Sequence, residues 1–224
     1  DYAIRLGKPL IIIFGLGSAN GSRTGASPLA EMMENLTKKP NISVITCMGN
    51  EANNKCHYKG TVMSALVPDV MEINVDGTGK GFTMEIWADS LDILSVSIES
   101  PSGEYVPRIP ARMGASMEYT FLYEGSTVTV DYQITENVAG MEVIFVRLKT
   151  PVEGTWKFYI YSLTNIKGSY NAWLPLKQFS GQDIYFLKSD PDTTLTVPAA
   201  ADGVISVGAY NHYAGAAYYE SGRG

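Results

Sequence analysis

The sequence predicts an α/β fold interrupted by an all-β domain. Three observations carry that expectation. Two compact apolar runs, Leu10–Phe14 and Ile42–Cys47, bracket an amphipathic segment near the start. From about Gly60 the pattern changes to short alternating runs between Gly, Pro, Asp and Ser turns, with no helical period. A third apolar run, Val204-Ile205-Ser206-Val207-Gly208-Ala209, then restores the earlier style. The expected organisation is an α/β domain built from residues 1–59 and 188–224, with residues 60–187 forming an inserted β-sandwich or jelly roll.

The chain opens on Asp1-Tyr2-Ala3-Ile4-Arg5-Leu6-Gly7, which reads as the last turns of a helix closed by a glycine. A chain that begins inside a helix is expected to be an internal piece of something longer. Leu10–Phe14 is β-branched and wholly apolar, as strands are when a parallel sheet is covered on both faces. The loop Gly15–Gly25 follows. Ser27 is an N-cap with Pro28 at the first helical position, because the hydroxyl satisfies an orphan N–H and proline has none to lose. Leu29, Met32, Met33 and Leu36 fall on one helical face, and Lys38, Lys39 and Pro40 suit its end. Strand, helix and strand joined by short links give a right-handed parallel crossover.

The second strand runs out through Cys47-Met48-Gly49-Asn50-Glu51 into a turn. The eight strands expected in the insertion are Met71–Val75, Phe82–Trp87, Ile93–Glu99, Met117–Tyr123, Thr127–Ile134, Met141–Leu148, Trp156–Tyr161 and Tyr170–Leu174. An exposed loop tip such as a Gly-Asn turn tolerates an insertion.

Composition excludes several classes. The 224 residues carry a formal charge of -6 without a Lys/Arg cluster, which disfavours a nucleic-acid partner. Leu10–Phe14 is too short for a membrane span, which takes ~20 residues. Gly15-x-Gly17 lacks the spacing of a dinucleotide fingerprint, and no acidic residue closes the second strand to read a ribose. Asp190 and Asp192 are two carboxylates, far short of a calcium shell, and no metal site or cofactor is expected. Cys47 and Cys56 do not make a disulfide framework. Trp87, Trp156 and Trp173 read as core rather than as a sugar-stacking platform, and His57 and His212 as structural or surface residues, His57 in a loop.

The α/β part resembles the subtilisin-like (S8) serine peptidases along most of its length. In that family a strand ends in Ser-Leu-Gly, a helix follows, and the next strand ends in Ala-Ala-Gly-Asn. The counterparts are Gly15-Leu16-Gly17 and Cys47-Met48-Gly49-Asn50. Val204–Ala209 matches the later Val-Ile-Ala-Val-Gly-Ala segment, and Tyr219–Gly224 the loop after it. An insertion at this point, carrying Ser100-Pro101-Ser102-Gly103 and Glu153-Gly154-Thr155-Trp156, looks like the jelly roll of bacterial germination-type (Csp-like) subtilases.

The resemblance implies that Asn50 donates its side-chain amide to the oxyanion. It implies that Gly15, Leu16 and Gly17 bind the substrate backbone and wall the first specificity pocket, with Gly49 opposite. Gly15 departs from the family's Ser. The family's Asp-Thr-Gly, His-Gly-Thr-His and Gly-Thr-Ser motifs are absent from this chain. The expectation is therefore a fragment of a serine endopeptidase, inactive alone, whose parent acts on a protein or peptide substrate. The family also contains signalling pseudoproteases, which is the alternative. A secreted, cell-envelope or spore-associated location is implied by the family alone.

Overall fold

The computed structural model describes residues 2–77, 79–88, 93–134, 141–163, 168–180 and 183–224. The chain divides into two compact units, Asp1–Asn54 with Pro191–Gly224, and Lys55–Asp190.

The first unit starts with helix α1 (Tyr2–Arg5), which ends as expected on a glycine in the left-handed region: Gly7 has φ +61° and Lys8 N donates to Ala3 O at 3.1 Å. Asp1 lies outside the described residues. Strand β1 (Leu10–Phe14), helix α2 (Pro28–Thr37) and strand β2 (Ile42–Cys47) follow. The strands are parallel, with Leu10 opposite Ile42 and Phe14 opposite Thr46. Ser27 Oγ accepts from Ala30 N at 3.1 Å, and Pro28 takes the first helical position. The buried stripe of α2 is centred on Ala30 and Met33, whereas Met32 is 55% exposed, so the face is rotated from the expected one.

The second unit contains β3 (His57–Val62), β4 (Asp69–Asp76), β5 (Gly81–Ala88), β6 (Leu94–Glu99), β7 (Tyr105–Ile109) and β8 (Ser116–Thr120). It continues through β9 (Thr127–Ile134), β10 (Glu142–Lys149), β11 (Gly154–Ser162), β12 (Gly168–Trp173), helix α3 (Lys177–Ser180) and β13 (Asp183–Phe186). One sheet has the order β3-β12-β5-β10-β9-β8 and the other β13-β4-β11-β6-β7. All pairings in both are antiparallel.

The two sheets share one core. Alternate residues supply it: Met71, Ile73 and Val75 from β4, Trp156, Phe158 and Ile160 from β11, and Ile144, Val146 and Leu148 from β10. Each is at most 1% exposed, and burying such a side chain contributes about 1.5–3 kcal/mol.

Three strands of this unit go beyond the expected eight. β7 contains Pro107, which breaks a strand pattern in sequence but is tolerated because β7 is a sheet edge. β13 is short and opens on Asp183. β3 contains His57, which the sequence reading placed in a loop; its pairing with β12 puts residues 55–59 in the β unit. The two compact units meet in the chain at 54/55 and 190/191.

Trp156 is fully buried, edge-on to Phe121 at 5.1 Å, and its indole N–H donates to Val152 O. Trp87 and Trp173 pack with Val143 in a second, smaller cluster. The segments Ser100–Gly103 and Glu153–Trp156 meet in space. A Cβ on Gly154, which has φ +130°, would lie 2.8 Å from Pro101 Cβ.

The chain then returns to the first unit. β14 (Ile205–Val207) pairs in parallel with β2, Ile205 opposite Ile45, and completes a sheet of order β1-β2-β14. A small hairpin, β15 (Tyr210–Asn211) and β16 (Ala216–Ala217), follows. One face of the sheet is covered by α2, where Val44 and Thr46 are 1% and 2% exposed. On the other face Ile11, Ile13, Ile205 and Val207 are 65%, 76%, 54% and 52% exposed. Covering on both faces, expected from the apolar runs, is therefore found on one face only among the described residues.

Candidate functional site

In open parallel sheets, ligands bind beyond the carboxyl ends of the strands, where the connecting loops diverge. The register places three such ends together. Phe14 is opposite Thr46, and Val207 is opposite Cys47. Gly15–Gly17, Met48–Asn50 and Gly208 therefore leave the sheet at a common edge.

Met48 is tied on both sides. Its N–H donates to Val207 O at 3.1 Å, and its carbonyl accepts from Thr196 N at 3.1 Å. Gly49 then adopts φ +89°, which a side chain disfavours, and its carbonyl accepts from Gly222 N at 2.8 Å. These bonds fix the turn from which Asn50 projects. Asn50 is exposed, and its side-chain amide makes no hydrogen bond among the described residues. Its carbonyl accepts from Asn54 Nδ2 at 3.1 Å, and the same amide reaches Glu51 Oε2 at 3.0 Å. The main chain is held while the side-chain donor stays open to a ligand.

Gly15, Leu16 and Gly17 continue β1 beyond its pairing with β2. No main-chain hydrogen bond engages them among the described residues, and Leu16 is 69% exposed. An extended segment with open N–H and C=O groups is a template for adding a peptide strand. Just after it the chain is fastened again, Ser18 and Val197 exchanging two main-chain bonds of 3.0 and 2.9 Å.

Two residues at this edge were not singled out from sequence. Thr196, 3% exposed, fills the space between the glycines: a Cβ on either Gly17 or Gly49 would run into its side chain. Its hydroxyl lies 3.4 Å from Cys47 O. Arg23 joins the loop after β1 to the same segment, donating to Leu195 O at 2.6 Å, Ala19 O at 2.5 Å and Ser18 O at 3.2 Å. The paired glycines were the available signal for Thr196, since two missing side chains imply that something occupies the gap. Nothing in the local pattern marks Arg23.

The other residues weighed from sequence lie apart from this edge. His57 and Asp190 belong to the β unit, where Asp190 N donates to His57 O at 2.9 Å. Asp192 pairs with Arg223 at 3.7 Å, and the exposed His212 ring lies against Tyr213. Cys47 and Cys56 are not joined in a disulfide. Among the described residues no group of three or more His, Cys, Asp or Glu could hold a metal ion, and no helix is long and apolar enough to cross a membrane.

No protein-family model and no curated protein matches the chain. A solved structure does: the Clostridium perfringens CspB protease, at a TM-score of 0.87 and 24% identity over 99% of this chain. The match takes in 46% of that protein, so the chain spans about half its length. The likeness shows that the chain shares the fold of the matching part of that protein.

Proposed function

We propose that the chain is the substrate-binding and oxyanion-bearing segment of a subtilisin-like serine endopeptidase. The acid, base and nucleophile belong to other parts of the full polypeptide. The observation that carries this reading is Asn50. Its amide makes no hydrogen bond among the described residues, on a turn fixed by three main-chain bonds at Met48 and Gly49 and by Asn54 Nδ2 on the Asn50 carbonyl, beyond the carboxyl edge of a parallel sheet. An amide held this way stabilises charge that appears only in the transition state, without reorganising to do so. Gly15, Leu16 and Gly17 supply the backbone edge for the peptide, and Gly49 keeps the opposite wall low.

The bare apolar face of the β1-β2-β14 sheet supports the fragment reading. Four large side chains more than half exposed on one face suit the inner surface of a further layer, which no described residue supplies. The two-sheet unit is read as an inserted jelly roll. Strands β3 to β6, and again β10 to β13, alternate between the two sheets, which supports that order.

A fluorophosphonate probe tests the reading. The full polypeptide is expected to be labelled on serine and this 224-residue chain alone is not. Labelling of the isolated chain would contradict its predicted inactivity. A folded full polypeptide that takes no label would overturn the enzyme reading in favour of a pseudoprotease on the same scaffold.

A further inference from the structure

We propose that His57 is a doubly protonated latch that fastens the start of the Lys55–Asp190 unit to its end, and that the latch loosens as pH rises. The imidazole is fully buried. Its Nδ1 lies 3.2 Å from Asp190 O and its Nε2 lies 3.0 Å from Asn171 Oδ1. A main-chain carbonyl oxygen only accepts, so Nδ1 carries a proton; the amide oxygen only accepts, so Nε2 carries one as well. The ring is then an imidazolium. It is stacked on Trp173 with centroids 5.0 Å apart and planes 20° from parallel, within the ~6 Å at which a cation is attracted to an aromatic face.

The position of this ring gives the proton a mechanical role. Phe186 N donates to Lys55 O, Leu174 N to Cys56 O and Asp190 N to His57 O. Residues 55–57 are thus held by the last part of the unit through main-chain bonds insensitive to pH. The ring adds a titratable bond, from residue 57 to the carbonyl of residue 190.

The charged groups around it come from each neighbouring element. Lys59 shares the ring's side of β3, and the outgoing segment brings Lys188 and Asp190. On β12 the neighbours are the neutral Asn171 and Trp173. Glu85 lies one strand further across the register, its carboxylate receiving Trp87 Nε1 at 3.0 Å.

Burial alone opposes a charged ring. Two accepting oxygens and an indole face favour it, and loss of either proton would set a nitrogen lone pair against an oxygen. The folded-state affinity for the proton is therefore raised over the unfolded value of about 6.5. The latch is fully in force below that value and is lost as pH rises through the folded-state midpoint.

The test uses the whole chain, whose two histidines are told apart with His212→Gln. Long-range ¹H–¹⁵N spectra near pH ~6.5 are expected to show protonated shifts on both His57 nitrogens. The His57 midpoint is expected at least about one unit above the unfolded value of about 6.5, a tenfold gain in proton affinity. Exchange protection of the Asp190 amide, corrected for intrinsic rate, should fall with rising pH in the wild type and stay level in His57→Gln. A single protonated nitrogen, with the ring accepting from a turned Asn171 amide, would overturn the proposal. So would identical protection profiles in the two proteins. Where His57→Gln does not fold, the wild-type nitrogen shifts decide.

Discussion

Thr196 closes over Gly49: a Cβ built on the glycine would lie 2.5 Å from Thr196 Cγ2. Gly17 meets the same side chain from the other wall. The first specificity pocket proposed for this edge is therefore shallow, with a threonine between two glycines. Gly49→Ala should destabilise the chain by about 1–3 kcal/mol, from the strained φ and from overpacking. Thr196→Gly should recover the packing part but not the conformational part. Denaturant unfolding of both single variants and the double variant measures the coupling. An identical cost of Gly49→Ala with and without Thr196→Gly would remove the contact from the account.

Asn50→Ala should separate stability from chemistry. The side chain is exposed and unpaired among the described residues, so unfolding of the chain should change by less than about 0.5 kcal/mol. In the catalytically complete polypeptide, kcat should fall by about 10²–10³ with little change in KM, as when one oxyanion donor is removed. A marked fall in stability, or an unchanged kcat, would remove Asn50 from the proposed role.

The βαβ start was legible because its capping signals agreed with the fold, Ser27 and Pro28 at a helix start and Gly7 past a helix end. The strands read as covered on both faces, by contrast, are covered on one among the described residues. In the β unit, alternation found strands whose one face enters the core. It missed β3, β7 and β13, which lie at sheet edges and carry Gly60, Pro107 and Asp183. Edge strands escape the period because only one neighbour constrains them. At the candidate site the motif-bearing residues could be read from sequence, since Gly49 and Asn50 follow a recognisable strand. Thr196 and Arg23 could not be assigned there, because their positions depend on a segment that returns about 150 residues later, a separation the Cys47–Thr196 contact spans.

The outer face of the five-stranded sheet carries a pH-sensitive group. Glu99 accepts from Tyr159 OH and from Lys157 Nζ at 3.0 Å. The Tyr159 bond, and after it that of Lys157, holds the Glu99 carboxyl below its ordinary range. The same bond, followed by burial, pushes the Tyr159 hydroxyl up to about 12. For a depressed carboxylate the stabilisation is present above the unfolded value of about 4.3 and is lost as pH falls through the folded one. Tyr159→Phe removes the largest cause, so the Glu99 midpoint should move up toward that of an ordinary glutamate. Carboxyl-carbon NMR reads the midpoint directly, and an unmoved value would reassign the shift to Lys157.

Thr46 carries an unmet cost within the strand that bears Asn50. The residue is 2% exposed, and its Oγ1 has no hydrogen-bond partner among the described residues. It sits between Phe14 and Ser206 in the register, on the face covered by α2. A buried hydroxyl stripped of water without a partner costs about 1–3 kcal/mol. Thr46→Val keeps the shape and removes that cost, so it should stabilise the chain by about 1 kcal/mol. Thr46→Ser keeps the hydroxyl and loses a methyl, and should destabilise by about 0.8 kcal/mol. The denaturation midpoint should move in opposite directions for the two variants, with the slope unchanged. Destabilisation by valine would mean that the hydroxyl bonds a group from outside these residues. Because Thr46 is followed directly by Cys47 and Met48, whose carbonyls face Thr196, the gain would also stiffen the turn that presents Asn50.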